Sequence, residues 1–217
     1  MKRQLKITAD GSHTLFVPAL NETYHSMYGA LQESLHVFID AGFRYATVQN
    51  GQSPLRVLEI GFGTGLNALL TWDEATQKQI PVYYEAIEKY PLSEKEAAAL
   101  NYASHEKLYD IHRVAWETPV ALSPYFTLCK RMTDLLHYNP EGQFDVIYFD
   151  AFAPTVQPEL WSEAVFCKLH TALRSGGVLV TYSSKGIVKT ALRTAGFEVQ
   201  RLSGAIGKRH MLRAIKI

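Results

Sequence analysis

The sequence has 217 residues, of which 47% are hydrophobic and 20% are charged, as in an ordinary soluble globular protein. No run of about 18 apolar residues is present, which argues against a membrane span. No apolar stretch follows the basic N-terminal residues either, so a secretory signal is not expected. The two cysteines form no Cys-x-x-Cys pair and are expected as free thiols, which favours a cytoplasmic protein.

The net charge of +1 conceals an uneven distribution of charged residues along the chain. Residues 168–217 contain ten basic residues and one acid, which leaves a net charge of −8 for residues 1–167. A basic segment of this kind is typical of a nucleic-acid-binding face, but solvated helix faces produce the same composition. Composition alone does not decide between the two.

The N-terminal part, residues 1–50, is predicted as a small extension made of a β-hairpin and a helix. Hydrophobic and polar residues alternate over 3–18, and Asp10-Gly11 is a signal for a two-residue turn between two strands. Apolar residues then recur at helical spacing, at Leu31, Leu35, Phe38 and Ile39. Gly42 is predicted to end that helix.

Residues 51–217 are predicted as the core of a single domain, 1–217, in which strands and helices alternate. The predicted strands are 55–60, 82–87, 126–129, 145–150, 177–182, 197–202 and 211–215. Helices are predicted from Leu66, from the capping box of Ser93 and Glu96, and over 185–195. This alternation predicts a Rossmann-like α/β fold, with a mostly parallel seven-stranded sheet whose last strand is antiparallel.

A glycine-rich loop between the first core strand and its helix is the strongest local signal. Glycines at Gly61, Gly63 and Gly65 let a ligand approach the backbone, and the helix N-terminus offers free N–H groups. This spacing departs from the dinucleotide fingerprint, and the acid Glu59 would repel a pyrophosphate. The same acid suits the cationic amino-acid end of S-adenosyl-L-methionine. The three glycines and Glu59 are therefore predicted to bind that cofactor, with a structural turn as the alternative.

Three further acids stand at or just after strand ends, where ligands bind in open α/β sheets. Glu88 is predicted to bind the ribose hydroxyls and Asp134 the adenine amino group, unless each is a capping or loop acid. Asp150 is predicted to face both the methyl donor and the acceptor, with a turn residue as the alternative. Pro154 stiffens the loop that follows, and Trp161 either walls the pocket or belongs to the core. The histidines and cysteines lack metal-ligand spacing, so no metal site is predicted.

Several strings of the sequence carry a resemblance to a known family: 59–67, 88–92, 150–154 with Trp161, 176–177, 195–197 and 207–212, with weaker similarity at 22–26. They resemble the methyltransferase domain of the MnmC-type enzymes, which act on the wobble uridine of certain tRNAs. The glycine loop is shared by all methyltransferases of this fold. The strings Asp-Ala-Phe-Ala-Pro and Gly-Lys-Arg-His-Met are much more particular, although Ala151 replaces a glycine that is common in the family.

The resemblance implies a class I methyltransferase fold, with S-adenosyl-L-methionine as cofactor. The implied acceptor is the exocyclic amine of 5-aminomethyl-(2-thio)uridine at the tRNA wobble position. It also places Asn67 and Lys89 among the cofactor-binding residues and Phe152 and Pro154 among those that contact the acceptor. We expect Asp150 to bind the acceptor ammonium, orient it and take up its proton, with Tyr24 shaping the same site.

The expected macromolecular partner is tRNA, contacted by the basic C-terminal third. Lys208 and Arg209 are predicted to contact phosphates, with a solvated loop as the alternative. Lys185 is predicted to line the substrate mouth, with an ordinary loop residue as the alternative. The best-known relatives carry a fused flavin-dependent oxidase domain, which is absent from these 217 residues. This departure leaves two alternatives open: a separate oxidase or upstream tRNA-modifying enzyme supplies the amine as a further partner, or the substrate has changed.

Three other functions stay open from the sequence alone. The first is a methyltransferase that acts on a small-molecule amine or hydroxyl group. The second is a non-catalytic subunit that binds S-adenosyl-L-methionine. The third is a nicotinamide-dependent oxidoreductase, against which the position of the third glycine and Glu59 argue.

Overall fold

The computed structural model describes residues 1–51, 54–102 and 105–217. The N-terminal part forms a small antiparallel sheet of three strands, β1 (Gln4–Ile7), β2 (His13–Val17) and β3 (Glu22–Thr23), in the order β1-β2-β3. The predicted hairpin is present, but its connection is longer than predicted, because Ile7 pairs with His13 and leaves five residues between the strands. Asp10 organises this loop, since its carboxylate accepts hydrogen bonds from the Thr8 hydroxyl (2.7 Å) and the Ser12 backbone N–H (3.0 Å).

A long helical stretch follows, in three consecutive segments: α1 (Ala30–Ser34), the π-helical α2 (Leu35–Arg44) and α3 (Tyr45–Gln49). The prediction that Gly42 ends this helix is wrong, because the helix continues beyond it. A Cβ atom on Gly42 would lie 3.0 Å from a methyl group of Val180 and 3.1 Å from the Tyr148 ring. The glycine therefore lets the helix approach the sheet closely, and it does not act as a stop signal.

The large sheet contains eight strands within the described residues, one more than predicted. They are β4 (Leu55–Ile60), β5 (Val82–Ile87), β6 (Val120–Ser123), β7 (Phe126–Arg131), β8 (Phe144–Phe149), β9 (Leu173–Thr181), β10 (Phe197–Ser203) and β11 (His210–Lys216). The order is β10-β11-β9-β8-β4-β5-β7-β6. The five central strands are parallel, and the predicted antiparallel last strand is confirmed by β11. The additional strand is β6, which is antiparallel to β7 at one edge.

Helices cover both faces of this sheet, as the alternating pattern predicts. The helices of the core are α4 (Leu66–Lys78), α5 (Glu94–Ala98), α6 (His105–Arg113), α7 (Glu163–Ala172) and α8 (Gly186–Thr194), with a 3₁₀ turn at Pro158–Trp161. Alternate residues of each strand enter different cores. Val57 and Tyr148 pack with α2 and α4, whereas Leu58 and Phe149 pack with α7 and α8. Every helix of the described part is too short or too polar to cross a bilayer.

The chain direction across the sheet reverses between β4 and β8. From β4 the chain proceeds through β5 to β7 on one side, and β8 and β9 lie on the other side. The loops after β4 and β8 consequently start side by side, and the Asp150 backbone N–H donates to the Ile60 carbonyl at 3.0 Å. Open α/β sheets bind their ligands at this point.

Candidate active site

A cavity of about 610 Å³ opens at the point where the strand order reverses. One side is formed by the loops that follow β4, β5, β7 and β8, together with Tyr182 at the end of β9. Residues 22–26, Glu33 of α1 and Lys208 of the β10–β11 connection close the other side. A volume of this order is typical of sites for small molecules and cofactors.

The glycine loop is held by a carboxylate of the neighbouring strand end. Glu88, just after β5, accepts a hydrogen bond from the Gly63 N–H at 2.9 Å and another from the Tyr90 N–H at 2.7 Å. Gly63 has a φ of 52°, and a Cβ atom there would lie 3.0 Å from the Tyr24 ring. A side chain at this position would therefore be strained and would push Tyr24 out of the site.

The Asn67 side chain, in the first turn of α4, bridges two carboxyl groups. Its amide nitrogen donates to Glu59 Oε1 and to Asp150 Oδ2, both at 2.9 Å. Burial raises the pKa of Glu59 well above its ordinary value. Burial, and next to it the negative charge of Glu33, raise the pKa of Asp150 to about 7. Asp150 is thus able to bind or release a proton near neutral pH.

A partly buried ion pair between Lys208 and Glu33 lies in the opposite wall of the cavity. The Lys208 ammonium donates to Glu33 Oε1 at 2.5 Å and lies 4.0 Å from the centroid of the Tyr182 ring. The Ser26 backbone N–H donates to the other oxygen of Glu33 at 2.7 Å. The Tyr182 hydroxyl donates to the Ala151 carbonyl at 2.9 Å, which ties this wall to the loop after β8.

Tyr24 is fixed over the cavity by Arg3. The Arg3 guanidinium, whose side chain is 4% exposed, donates to the Tyr24 hydroxyl at 2.8 Å and forms an ion pair with Glu96. The Tyr24 ring meets Phe152 edge to face, with 5.1 Å between centroids. Burial, and next to it the charge of Glu88, raise the pKa of Tyr24 to about 12. Tyr24 therefore stays protonated and serves as a wall of the cavity.

Comparison with known proteins identifies the chemistry of this cavity. Residues 85–217 match the model of a family described as S-adenosyl-L-methionine-dependent methyltransferase. The chain belongs to this methyltransferase family.

Two curated relatives extend the similarity of the methyltransferase over most of its length. It is 32% identical over 208 residues to the tRNA 5-methylaminomethyl-2-thiouridine biosynthesis bifunctional protein MnmC of Methylobacillus flagellatus. This alignment covers 88% of this chain and 32% of the relative. It is 34% identical over 221 residues to the protein of the same name from Burkholderia thailandensis, with 92% and 33% covered. The chain thus spans about a third of the length of these relatives.

Two solved structures share the fold of the methyltransferase. The crystal structure of MNMC2 from Aquifex aeolicus matches with a TM-score of 0.84 and 24% identity, over 99% of this chain and 70% of that one. The magnesium protoporphyrin IX methyltransferase of Synechocystis, solved with bound S-adenosylmethionine, matches with a TM-score of 0.55 and 13% identity, over 87% and 81%. The predicted fold class is confirmed.

S-adenosyl-L-methionine is the cofactor of the methyltransferase, and the cavity suits it. Within the described residues, Asn67 Oδ1 is buried and lacks a hydrogen-bond partner. Such an acceptor usually finds one, and a ligand ammonium group beside the glycine loop would satisfy it. The Glu88 and Asp134 carboxylates lie further along the same cavity wall.

Most of the residues predicted to bind the cofactor line this cavity: Gly61, Gly63, Asn67, Glu88, Lys89, Asp134 and Asp150. Lys89 and Asp134 form an ion pair at 2.8 Å, and this contact with Lys89 lowers the pKa of Asp134. Glu59 lies behind Asn67 and contacts the cavity only through it. Gly65 occupies the N-cap of α4, where a Cβ atom would lie 3.2 Å from Phe62 and from His112.

The predicted catalytic residues Asp150 and Tyr24 both line the cavity, but the predicted substrate contacts divide into two groups. Phe152 and Lys208 line it, whereas Pro154, Trp161, Lys185 and Arg209 lie outside its wall. Trp161 is 4% exposed and donates to the Phe152 carbonyl at 2.8 Å, so it supports the loop from the core. The Lys208 side chain is turned inward to Glu33, and its predicted phosphate contact stays a prediction.

Sequence reasoning missed Glu33 and Tyr182 as site residues. Tyr182 follows the carboxyl end of β9, and the rule that located Asp150 could have found it. Glu33 had no such signal, because it lies in α1 of the N-terminal extension and reaches the site through the tertiary fold.

Proposed function

We propose that this methyltransferase transfers a methyl group to the exocyclic amine of 5-aminomethyl-(2-thio)uridine at the wobble position of tRNA. The observation that carries the proposal is the position of the Asp150 carboxyl, which lines the cavity together with the glycine loop and with the Lys208–Tyr182 cation–π pair. Burial raises the pKa of this carboxyl to about 7, which supports the proposal. The names of the MnmC relatives support the nucleoside and the tRNA as the substrate. This substrate implies that the protein works in the cytoplasm.

On this proposal the cofactor lies along the glycine loop. Asn67 would accept from its ammonium group, with Glu59 fixing the Asn67 amide from behind. Glu88 would bind the ribose hydroxyls, and Asp134 would accept from the adenine amino group. When bound, S-adenosyl-L-methionine supplies an electrophilic methyl group on a sulfonium.

The acceptor amine has to lose a proton before it can attack, because a free alkylamine is largely protonated at neutral pH. Ionised Asp150 would bind the ammonium, orient it and take up its proton. Its hydrogen bond to Asn67 holds the carboxylate in place at 2.9 Å while this occurs. Tyr24 and Phe152 would restrict the position of the acceptor, and such restriction supplies about 7–11 kcal/mol in favourable cases.

We assign the contact with tRNA to a smaller basic surface than composition indicates. Five of the ten basic residues of the C-terminal third bind carboxylates, carbonyl groups or aromatic rings of the protein itself: Lys168, Arg174, Lys208, Arg213 and Lys216. Lys189 and Arg193 are four residues apart on one face of α8, and Lys185 directly precedes the helix as its N-cap residue. Lys185 also donates to the Thr155 hydroxyl at 3.4 Å, beside the loop that lines the cavity. This face of α8 would contact phosphates near the cavity.

The aminomethyl group has to be present on the uridine before methyl transfer. An upstream enzyme that exposes a primary amine is therefore a further proposed partner.

The proposal is tested with bulk tRNA from cells that lack wobble-uridine methylation. The protein is incubated with this tRNA and labelled S-adenosyl-L-methionine, and the tRNA is then digested to nucleosides that are identified by mass. Label on 5-methylaminomethyluridine, thiolated or not, is the expected result. Binding of the cofactor without label on any nucleoside would overturn the tRNA assignment, and label on added small amines would replace it.

A further inference from the structure

The cavity already contains an ammonium group, and it belongs to the protein. The Lys208 ammonium is bound by a carboxylate, Glu33, and by the face of an aromatic ring, Tyr182. A carboxylate together with an aromatic face is the combination by which proteins recognise alkylammonium ligands.

We propose that Glu33 and the Tyr182 ring form the binding site for the ammonium group of the methyl acceptor, and that Lys208 fills this site until the acceptor displaces it. This inference rests on the proposed function, because it requires an acceptor that arrives as a primary ammonium ion. Lys208 is then an internal competitor of the substrate.

Glu33 is suited to be the fixed part of this site. Its side chain is 8% exposed, and the Ser26 backbone N–H holds one of its oxygens at 2.7 Å independently of Lys208. A buried carboxylate without a cation is costly, so Glu33 requires a positive partner when no acceptor is bound. Lys208 supplies that partner in the free protein.

Lys208 is suited to be the movable part. Its side chain is 31% exposed, and it extends from a short connection between β10 and β11 in which Ile206 is 57% exposed. The flexible four-carbon stem of a lysine can rotate into solvent without unpairing these strands. The connection itself is held by a hydrogen bond from the Lys208 N–H to the Ala205 carbonyl at 2.8 Å, which does not involve the ammonium.

The site lies next to the group that takes the proton. The Tyr182 hydroxyl donates to the carbonyl of Ala151, the neighbour of Asp150, at 2.9 Å. The charges of Glu33 and Lys208 also act on Asp150, the first raising its pKa and the second lowering it. An acceptor ammonium that replaces the Lys208 ammonium would thus be held by Glu33 and Tyr182 within the electrostatic reach of Asp150.

The experiment compares two anticodon stem-loops that differ only at the wobble uridine, which carries an aminomethyl group in one and a methyl group in the other. Affinities are measured by calorimetry in the presence of S-adenosyl-L-homocysteine, so that no transfer occurs. Wild-type protein should prefer the aminomethyl loop. Lys208→Met should increase this preference several-fold, because the competitor is gone, and Glu33→Gln should abolish it.

Lys189→Met is the matched control, because it removes a lysine from α8 and should weaken both loops equally. Affinity for S-adenosyl-L-homocysteine reports correct folding of each variant. If Glu33→Gln does not fold, the double variant Glu33→Gln with Lys208→Met, which buries no unpaired charge, should fold and show no preference.

A Glu33→Gln variant that keeps the preference would overturn the inference while the proposed function stands. A Lys208→Met variant with a reduced preference would do the same, because it would make Lys208 a permanent wall of the acceptor site. Equal binding of the two loops by wild-type protein, together with no methylation of the aminomethyl loop, would overturn the proposed function itself.

Discussion

The Asn67 side-chain amide connects two carboxyl groups of this site, those of Glu59 and Asp150. One nitrogen donates to both Glu59 and Asp150, so each carboxyl depends on the same side chain for its position. Glu59 thereby influences the position of Asp150 even though it does not line the cavity. On the proposed function, the acid before the glycine loop would support the proton-accepting group as well as the cofactor.

Replacement of Asp150 by asparagine should separate chemistry from cofactor binding. Asp150→Asn keeps the shape of the side chain but cannot take up a proton, so kcat/KM should fall by about 10²-fold or more. The affinity for S-adenosyl-L-methionine should stay within a few-fold, as measured by calorimetry. Glu198→Gln, at an exposed position of β10, is the control and should leave both quantities unchanged. Near-normal kcat/KM in Asp150→Asn would remove Asp150 from the mechanism.

The pH dependence of the reaction should report the same carboxyl. The pKa of Asp150 is raised to about 7, and its ionised form is the one that accepts a proton, so kcat/KM should rise as the pH increases through this value. In Asp150→Asn, which lacks this carboxyl, the inflection of kcat/KM near neutral pH should disappear. Rate measurements from pH 5 to 9 at subsaturating tRNA test this; a wild-type profile that is flat across neutrality would contradict it.

The raised pKa also predicts a pH-dependent stability difference. In the unfolded chain Asp150 titrates near 3.8 and in the folded protein near 7, so the folded state binds more protons between these values. As the pH rises from about 4 to about 7, the free energy of unfolding of the wild type should therefore decrease relative to that of Asp150→Asn, which has no titrating group at position 150. Thermal melts should show a higher Tm for Asp150→Asn at pH 8, and the difference should shrink toward pH 4. A constant difference would mean that the pKa is not raised by folding.

Among the elements, the helical stretch α1–α3 approaches the sheet closely at Gly42. Gly42→Ala improves helix propensity by roughly 1 kcal/mol. The new Cβ would nevertheless lie 3.0 Å from Val180 and 3.1 Å from Tyr148. We expect net destabilisation of about 1–3 kcal/mol, the usual cost of overpacking. Gly186→Ala is the matched control, because no atom lies within 4 Å of the added Cβ in α8, and it should be neutral or stabilising. Urea denaturation measures both; equal effects would contradict the packing argument.

Helix α8 should carry a measurable share of the tRNA affinity. Lys189→Glu together with Arg193→Glu should weaken tRNA binding and flatten its dependence on salt, because fewer counterions are released from the phosphates. Affinity for S-adenosyl-L-methionine should not change. Lys78→Glu, at the exposed end of α4 that lies away from the cavity, is the control for the charge change. Unchanged salt dependence in the α8 variant would exclude this face from the tRNA contact.

At the scale of the whole molecule, the sheet and its switch point could be predicted because each follows from local patterns. Short apolar runs locate the buried strands. Because the carboxyl ends of parallel strands lie at the same edge of the sheet, Glu88, Asp134 and Asp150 line one cavity. Strand β6 was missed because it is short and mostly half-exposed at an edge. Glu33 was missed because its role depends on how the N-terminal extension packs, which no local pattern encodes. Trp161 was ambiguous for the same reason, since the path of its loop decides which way it faces.

The charge asymmetry of the sequence shows a related limit at this scale. Composition counts every basic residue equally, whereas the fold uses half of the basic C-terminal residues for its own carbonyls, carboxylates and rings. A net charge can therefore indicate a class of partner without locating the surface that binds it.

The pairing of Glu33 with Lys208 joins residues that are 175 positions apart. On the ribosome, Glu33, the glycine loop and Asp150 are all made before Lys208, and the core strands β4 to β9 are complete by then. The glycine loop and Asp150 can therefore assemble while the cavity still lacks the wall that Lys208 completes. A nascent chain would pass through a stage in which Glu33 is not paired with Lys208, and this stage ends only when the β10–β11 connection has been synthesised. On the proposed function, the order of synthesis would place the methyl-donor side before the side that binds the acceptor.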